Sequence, residues 1–595
     1  MQKSLVAFDT DHIREYVFGT DRLKEIRGAS SLLDRLNRQE MVAVAHECGI
    51  KDDAIIYKNG GSGLFVVDEK KAGEFGERVK RAYREKSGGR ASVTVAVQDI
   101  PDSSESTIAD LKERDLLREL DLLKYRLIEE KGSPPPAFAL SSHPFMRHCS
   151  SCGVEYAQEE YHEAGEDDAF YCASCIDKQD EDRQVKDRIK GAIFSLNAGK
   201  QIGDAYLWNR ILKCLREEGY DLSDPDVDRP DNFNEFRQVA EASKDYIGLI
   251  YADANNMGKL VEKLKMLGDR EAFAEGVDNA VHLAIARAIN KFLPIVTIER
   301  EKKLEREKEK IPVFPFDLLL VGGDDIVMVT DATKAMDVAR VMAQQFRDLA
   351  NDPQTFANNE RIRELLQEER MSLSIGVVLA PIKYPFGLLQ DMAESALKFA
   401  KKAAHDDRAK LKEVERKQFD GSRINFFVVT GGSKPDFKEI YNDLYKGKNE
   451  DEKLEFHATL RPYTPEELQT LLKAIREGKN LGRTKLHQLR EAVYDKNLSK
   501  SVMKALAALR SWNDYQRDYI VRRVVYGQSH EFKKRYKMPD SSDPQNLLAD
   551  FPRITFPWFA DGESKGYEVY RTPLLDFIEL YDFVAREGGN NGNKA

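Results

Sequence analysis

The feature that most constrains this chain is a pattern that occurs twice along it. Residues 6–13 align without a gap with residues 250–257, and residues 56–66 align with residues 318–328. Each copy begins with an apolar segment that ends at an aspartate, and it continues into two strands joined by a glycine-rich turn. Helix-like and alternating apolar segments around these strands complete the order of a β-α-β-β-α-β unit. We therefore predict an α+β protein built on two ferredoxin-like domains.

The two copies differ at the tip of the hairpin. Residues 322–325 of the second copy read GGDD, whereas the aligned residues 60–63 of the first copy read GGSG. Nucleotidyl transfer needs two divalent ions about 3.5–4 Å apart, held by hard oxygen ligands. We predict that Asp324 and Asp325, with Asp253 at the end of the neighbouring strand, are catalytic and bind two Mg²⁺ or Mn²⁺ ions. Each ferredoxin-like unit would then be a palm domain, although GGDD alone is also compatible with a plain turn.

Residues around the two hairpins are predicted to bind nucleotide. Glycines let a phosphate approach the backbone, and polar residues at a strand end can cap a helix or donate to phosphate. One ammonium group near the last palm strand and helix is expected to meet the triphosphate. The predicted nucleotide-binding residues are Gly322, Gly323, Ala254, Asn255, Asn256, Gly61, Ser62 and Lys402. Plain helix capping, a structural glycine turn and solvated lysines remain the alternatives.

Two CxxC pairs lie between the duplicated units. Residues 153–171 separate the pairs, which is a spacing typical of a zinc ribbon with four thiolate ligands. Because four sulfurs leave no open coordination position, the Zn²⁺ ion is expected to be structural. The predicted zinc ligands are Cys149, Cys152, Cys172 and Cys175.

Together these motifs resemble the large polymerase-cyclase subunit of type III CRISPR effector complexes, particularly the Cmr branch. The resemblance rests on the GGDD hairpin, the cysteine pairs and the segments 253–258 and 24–30, and it covers most of the chain from Leu5 to about His405. It implies two facing palms that bind two ATP molecules, which the GGDD palm joins into cyclic oligoadenylate when target RNA is bound. The chain departs from relatives that begin with an HD nuclease domain, because here the first palm begins at once.

The resemblance implies a nucleotidyltransferase of antiviral defence that uses ATP as its substrate. The implied partners are other subunits of the ribonucleoprotein, guide RNA and target RNA, with no membrane. Two alternatives stay open. A non-catalytic scaffold subunit that binds nucleotides would release no pyrophosphate, and a stand-alone diguanylate-cyclase-like enzyme, whose GGDEF hairpin is similar, would prefer GTP and form a homodimer.

Size and charge limit the remaining possibilities. At 595 residues the chain is expected to contain several domains. Lys+Arg total 92 against 102 for Asp+Glu, so any contact with nucleic acid must come from local basic faces. The sequence contains neither a membrane-length apolar segment nor a signal-peptide pattern, which predicts a cytoplasmic protein.

The sequence predicts a series of domains along the chain. In order they are a first palm with the degenerate hairpin (1–135), a zinc-binding and helical linker domain (136–240), a second palm with GGDD (241–420), a C-terminal helical domain (421–585) and a disordered tail (586–595). The charged run 299–310 is expected to extend a solvated helix. Arg27 is expected either to contact a phosphate or a neighbouring subunit, or to be exposed at a helix start.

Overall fold

The structure is a computed structural model in which two palms, a cysteine-bearing linker and a C-terminal region follow one another. It describes residues 2–132, 145–161, 169–239, 245–301, 308–431, 435–495, 497–527 and 554–585. The tail 586–595, predicted to be disordered, lies outside the described residues. In the part of the chain that is described, no helix combines the length and the apolar character needed to cross a membrane.

The first palm forms a four-stranded antiparallel sheet. Its elements are β1 (Lys3–Asp11), α1 (Ile13–Phe18), α2 (Leu23–Arg35), α3 (Met41–Glu47), β2 (Ile55–Tyr57), β3 (Ser62–Asp68), α4 (Glu69–Lys86), β4 (Ser92–Ile100), α5 (Ile108–Lys112) and α6 (Leu117–Gly132). The strand order β2-β3-β1-β4 is that of a ferredoxin-like unit. Phe8, Phe65 and Phe75 pack edge to face under this sheet, with ring centroids 5.1–5.6 Å apart.

The linker carries the cysteines and is fixed to the first palm. Its elements are β5 (Glu159–Tyr161), β6 (Ala169–Tyr171), α7 (Ala173–Asn197), α8 (Leu207–Glu217) and α9 (Phe236–Val239). Helices α2 and α7 are so close that a Cβ atom on Gly28 would lie 1.7 Å from the carbonyl oxygen of Lys178. The Lys178 ammonium donates to the carbonyl oxygen of Tyr16 at 2.6 Å. Only glycine fits at this crossing.

The second palm repeats the first and adds a fifth strand. Its elements are β7 (Tyr246–Asn255), α10 (Met257–Lys263), α11 (Leu267–Phe292), β8 (Val296–Glu301), β9 (Lys308–Val313), β10 (Phe316–Gly322), β11 (Asp325–Asp331), α12 (Ala335–Ala350), α13 (Glu360–Glu368), β12 (Ser372–Pro381), α14 (Phe386–Ala409), α15 (Glu413–Arg416) and β13 (Arg423–Val428). The order β10-β11-β7-β12-β13 reproduces the first sheet, with β13 added parallel to β12. The second palm sheet therefore continues beyond residue 420, the predicted end of that domain.

The prediction that the charged run 299–310 extends a helix is wrong. Its described residues belong to the hairpin β8-β9, which leaves the palm between α11 and β10. Glu299 pairs with Lys310 and Arg300 with Glu309, so opposite charges face each other across the ladder. Alternating charge along a sequence fits a hairpin as well as a helix, and the pairing decides between them.

The C-terminal region is mixed, and the prediction of a helical domain is wrong in this respect. Its elements are α16 (Phe437–Ile440), β14 (Lys446–Asn449), β15 (Leu454–His457), α17 (Pro465–Glu477), α18 (Arg483–Val493), α19 (Leu498–Leu509), α20 (Asp514–Asp518), β16 (Ile554–Thr555), β17 (Trp558–Ser564), β18 (Tyr567–Arg571) and α21 (Leu574–Val584). The strands form a five-stranded sheet of order β14-β15-β18-β17-β16. Most of these strands are too short to show a clear alternating pattern, and they come from distant parts of the sequence.

Arg27 lies in a buried ion cluster rather than at an exposed helix start. Its guanidinium donates to Asp182 and to Asp317, each at 2.8 Å, and Arg229 donates to Asp182 at 2.7 Å. None of the four side chains is more than 2% exposed. Because Asp317 lies near the start of β10, the cluster joins the first palm and α7 to the base of the GGDD hairpin.

Candidate active site

The register of the second sheet brings the three predicted aspartates together. Strand β7 lies between β11 and β12, and Ala252 pairs with Ile326. The next residues along the two strands, Asp253 and Asp325, therefore stand opposite each other at the end of the ladder. Asp324 lies at the hairpin tip, close enough for the charges of the other two to act on it.

The three carboxyl groups form a site that favours a bound cation. Partial burial, together with the charge of Asp253, raises the pKa of Asp324 to about 8 and that of Asp325 to about 6. The Oδ1 atom of Asp325 is shielded from solvent and receives no hydrogen bond from any residue that the structure describes. A divalent cation would offset this mutual repulsion, and carboxylate oxygens suit Mg²⁺ or Mn²⁺.

A lysine from α14 stands beside these carboxylates. Lys401 forms an ion pair with Asp253, and its charge also acts on Asp325. Lys402, the predicted residue, is exposed to solvent. Since successive residues on a helix point about 100° apart, only one of the two lysines can face the carboxylates. The structure places Lys401 there, one position before the predicted residue.

The side chain of Asn255 is occupied by the protein itself. Its amide donates to Ser372 Oγ at 2.9 Å and to the carbonyl oxygen of Gly421 at 3.0 Å, and its oxygen accepts from Ser374 Oγ at 2.9 Å. This side chain therefore clamps the end of β7 to β12, so only its backbone is free for nucleotide. Asn256 precedes α10 with a left-handed φ of 65°, and its side chain makes no capping hydrogen bond.

The first palm contains the same clamp at the equivalent place. Asp11 accepts from Ser92 Oγ at 2.9 Å and from Thr94 Oγ1 at 2.7 Å, which links the end of β1 to β4. His12, which precedes α1, has a left-handed φ of 48° and aligns with Asn256. The duplication thus extends to individual hydrogen bonds and to an unusual backbone conformation.

The first palm also keeps one carboxylate and its lysine. Asp9 aligns with Asp253, and the ammonium of Lys131 on α6 lies 2.6 Å from it. This pair corresponds to Asp253 and Lys401, since α6 and α14 each pack on the fourth strand of their palm, β4 and β12. What the first palm lacks is the pair of aspartates on the hairpin.

Strand pairing corrects the alignment of the two hairpins by one residue. Ser62 pairs with Asp9, whereas Asp325 faces Asp253. Because Asp9 and Asp253 are equivalent, Ser62 is the counterpart of Asp325, not of Asp324 as the ungapped alignment implied. The two hairpins have loops of different length, and an alignment without gaps does not show this difference.

The two hairpin tips meet backbone to backbone. A Cβ atom on either Gly60 or Gly323 would lie 3.2 Å from the Cα atom of the other. Both residues have positive φ, 64° and 65°, a conformation that favours glycine. The palms consequently face each other across this contact.

Three cavities surround the hairpin contact and contain most of the predicted nucleotide-binding residues. One of about 310 Å³, here called the Arg14 cavity, is lined by residues including Ile13, Arg14, Gly61, Gly322 and Asp325. One of about 210 Å³, the Met257 cavity, is lined by residues including Met257, Ser62, Gly323 and Asp324. One of about 430 Å³, the Asn256 cavity, is lined by residues including Asp253, Ala254, Asn255, Asn256 and Lys401. Each of the first two combines a helix of one palm with the hairpin of the other.

The four predicted zinc ligands converge in the linker. The sulfur atoms of the four cysteines all lie within 4.8 Å of one another, and Cys149, Cys172 and Cys175 are buried. With Zn–S bonds of about 2.3 Å, a tetrahedral site has sulfur atoms about 3.8 Å apart. This donor set fits a structural Zn²⁺ ion.

The second sheet and its carboxylate site have the arrangement of a palm domain. Residues 246–410 match the sequence family described as Cas10/Cmr2, second palm domain. No curated protein matches the chain. The residues that carry the aspartates and Lys401 all fall within the matched segment.

Solved structures show a distant likeness over almost the whole chain. The chain is similar to the Csm1-Csm4 cassette in complex with cA4, with 11% identity and a TM-score of 0.48, covering 98% of this chain and 70% of that chain. For Csm1 in T.onnurineus the identity is 12% and the TM-score 0.46, and the match covers 98% of this chain and 69% of that chain. For the Csm1-Csm4 cassette in complex with one ATP the identity is 12% and the TM-score 0.48, and the match covers 98% of this chain and 70% of that chain. Similarity at this level carries no argument about activity.

Two residues of the site, Arg14 and Tyr251, were not predicted from the sequence. The guanidinium of Arg14 lies 5.6 Å from the centre of the Tyr251 ring, and both residues line the Arg14 cavity beside Asp325. Arg14 comes from the facing palm, so the sequence around the GGDD motif gives no indication of it. Its position directly after the duplicated segment 6–13 is the sequence feature from which it could have been predicted.

Proposed function

We propose that this chain is the large subunit of a type III CRISPR effector complex and an Mg²⁺- or Mn²⁺-dependent nucleotidyltransferase. Activated by target RNA, it converts ATP into a cyclic oligoadenylate or a related adenylate messenger. The observation that carries this proposal is the convergence of Asp253, Asp324 and Asp325 at the edge of open cavities between two palms. The match of residues 246–410 to the Cas10/Cmr2 second palm supports it.

The proposed reaction joins two ATP molecules held between the palms. Asp253, Asp324 and Asp325 would hold two metal ions, which would make the attacking hydroxyl more acidic and neutralise charge on the leaving group. O3′ of one ATP attacks the α-phosphorus of the other, and a new O3′–P bond forms. The bond from that phosphorus to the oxygen bridging to the β-phosphate breaks. Pyrophosphate leaves with the bonding electrons, and the hydroxyl proton passes to solvent.

The remaining site residues would position the substrates. Lys401, which pairs with Asp253 here, would contact the triphosphate, because an ammonium is a general phosphate partner. The backbone around Gly322, Gly323, Ala254 and Asn256 lets phosphate approach closely. In the first palm, Gly61 and Ser62 hold the acceptor ATP, since that hairpin has no carboxylate pair.

The proposed partners follow from this assignment. They are the other subunits of a cytoplasmic ribonucleoprotein, its guide RNA and the target RNA. The four-cysteine module contributes structural Zn²⁺ and, by its packing on α2, shapes the first palm. A diguanylate-cyclase-like homodimer is disfavoured, because two palms already face each other within one chain.

The decisive experiment replaces the two hairpin aspartates. The double variant Asp324→Asn and Asp325→Asn keeps the side-chain shape but removes both charges, so we expect pyrophosphate release from ATP to fall to background. The assay uses the full chain assembled with its complex, target RNA, Mg²⁺ and labelled ATP. The matched control is Asp52→Asn with Asp53→Asn, a pair of adjacent, exposed aspartates that line none of the three cavities.

The outcome separates an enzyme from a scaffold. Background release from the GGDD variant and full release from the control would support the proposal. Equal release from the wild type and the GGDD variant would refute it. If the wild type binds ATP but releases no pyrophosphate with target RNA present, the chain is the non-catalytic scaffold.

A further inference from the structure

One cation of the first palm reaches the carboxylates of the second. Arg14 is the second residue of α1, and its side chain forms an ion pair with Glu394 on α14. It lines the Arg14 cavity together with Asp325 and Gly322. Among the described residues, the cations whose charge acts most on Asp325 are Arg14 and Lys401, one from each palm.

The first palm contributes a cation to the hairpin of the second, and at the aligned position the second palm does not do the same in return. Ile13 aligns with Met257, and each lines a cavity that includes hairpin residues of the opposite palm, the Arg14 cavity and the Met257 cavity respectively. The next position is Arg14 in the first palm but Gly258 in the second. The first palm thus offers a guanidinium to the GGDD hairpin, whereas the second offers no side chain at that position to the degenerate hairpin. The only hairpin with paired carboxylates is the one that receives the arginine.

The pairing of Arg14 leaves it available to a ligand. Its side chain is 44% exposed and Glu394 is 12% exposed, so the guanidinium has an open side. Glu394 has a second cation close by, Lys398, whose ammonium lies 2.5 Å away. If Arg14 turns toward an incoming anion, Glu394 keeps a partner and no buried charge is left alone.

We propose that Arg14 binds the triphosphate of the nucleotide held at the GGDD hairpin, so that residues of both palms contact the phosphates of the donor nucleotide. A guanidinium matches phosphate in a bidentate geometry and stabilises the charge that builds on the departing pyrophosphate. Glu394 holds Arg14 until nucleotide arrives and competes with phosphate for it. This inference rests on the proposed function for its chemistry, although the binding step can be tested alone.

Three variants separate phosphate binding from a structural ion pair. Arg14→Ala should raise KM for ATP about tenfold and lower kcat, since the interaction strengthens as pyrophosphate separates. Arg14→Lys should recover part of both, because an ammonium keeps the charge but loses the bidentate fork. Glu394→Gln should lower KM, since it removes the competitor for Arg14. The control is Arg78→Ala, which removes a similarly exposed arginine of α4 that pairs with Glu47 of α3, outside the three cavities.

Opposite shifts of KM for the Arg14→Ala and Glu394→Gln variants support the proposal. Equal losses in both would mean that the ion pair matters only for structure, which overturns it. A parallel arm measures calorimetrically how the same variants bind Mg²⁺ with an ATP analogue carrying a methylene bridge between the α- and β-phosphates. If the wild type releases no pyrophosphate, the proposed reaction fails, yet tenfold weaker binding by Arg14→Ala would still support Arg14 as a phosphate ligand. Unchanged binding would refute it.

Discussion

The two palms share the same strand framework and differ in the residues at the tip of the hairpin. Both sheets have the same strand order, and both clamp the end of the central strand with a polar side chain, Asp11 or Asn255. Both also pair an aspartate at that strand end with a lysine from the following helix. The hairpin differs, because Ser62 stands where the second palm has Asp325. The framework is therefore a requirement of the fold, and the hairpin aspartates are the part on which the proposed chemistry depends.

The largest expected difference between the palms concerns their equivalent aspartates. Asp253→Asn should lower ATP turnover by more than about 100-fold, because it removes a ligand shared by the metal site. Asp9→Asn should lower turnover by less than about tenfold, since its hairpin offers no second carboxylate. The measurement is pyrophosphate release at saturating ATP. Comparable losses of turnover in the two variants would mean that both palms bind catalytic metal, which would contradict the proposed difference between them.

Zinc removal should affect the two palms unequally. Structural zinc contributes on the order of 10 kcal/mol in small domains, and the cysteine module packs on the first palm through α2 and α7. Replacing Cys172 and Cys175 with Ser, or chelating the metal, should therefore raise hydrogen exchange in β5, β6, α1 and α2. Amides of the β7-β12 ladder should stay protected. Cys48→Ser with Cys214→Ser is the control, since these thiols lie outside the cluster.

The polar clamps should differ in strength. Asn255→Ala leaves the buried Ser372 and Ser374 without a partner, so opening of the β7-β12 ladder should become easier by about 2–3 kcal/mol. Asp11→Ala acts at a less buried place and should cost about 1 kcal/mol in the β1-β4 ladder. Hydrogen exchange resolved by ladder measures both. A larger effect in the first palm would contradict this ranking.

The smallest difference between the palms is expected at the hairpin contact, where each palm contributes one glycine. Gly60→Ala and Gly323→Ala each force a side chain into a left-handed conformation, which costs about 1–2 kcal/mol. They should also move the palms apart, because the added Cβ meets backbone at 3.2 Å. Gly89→Ala is the control, with φ of 84° and nothing within 4 Å of the new atom. If all three variants lose stability and activity equally, the tips do not set the spacing of the palms.

Sequence patterns captured the parts of the molecule that are local or repeated. The segment around Asp253 and the GGDD turn is a strand end beside a hairpin, and such register can be inferred from one sequence. The spacing of the cysteine pairs specifies its own geometry in the same way. By contrast, choosing between Lys401 and Lys402 depends on helix rotation, which a sequence without a known partner surface does not fix.

Other features arise only when distant segments meet. The ion cluster of Arg27 was not predicted, because its partners, Asp182 and Asp317, lie far along the chain. The role of Asn255 became visible only once Ser372 and Ser374 stood beside it. Arg14 belongs to one repeat and acts on the other. The C-terminal sheet follows the same rule at its centre, where β15 pairs with β18 from a distant part of the chain.

The buried cluster around Asp317 bears on how the molecule can be dissected. A fragment restricted to the family-matched segment 246–410 would retain Asp317 while losing Arg27 and Arg229, its two guanidinium neighbours. An unpartnered carboxylate in an apolar interior destabilises a protein by several kcal/mol. The second palm, despite its complete sheet, is thus a poor candidate for expression in isolation, and any minimal version must carry α2 and the segment around residue 229 along with it.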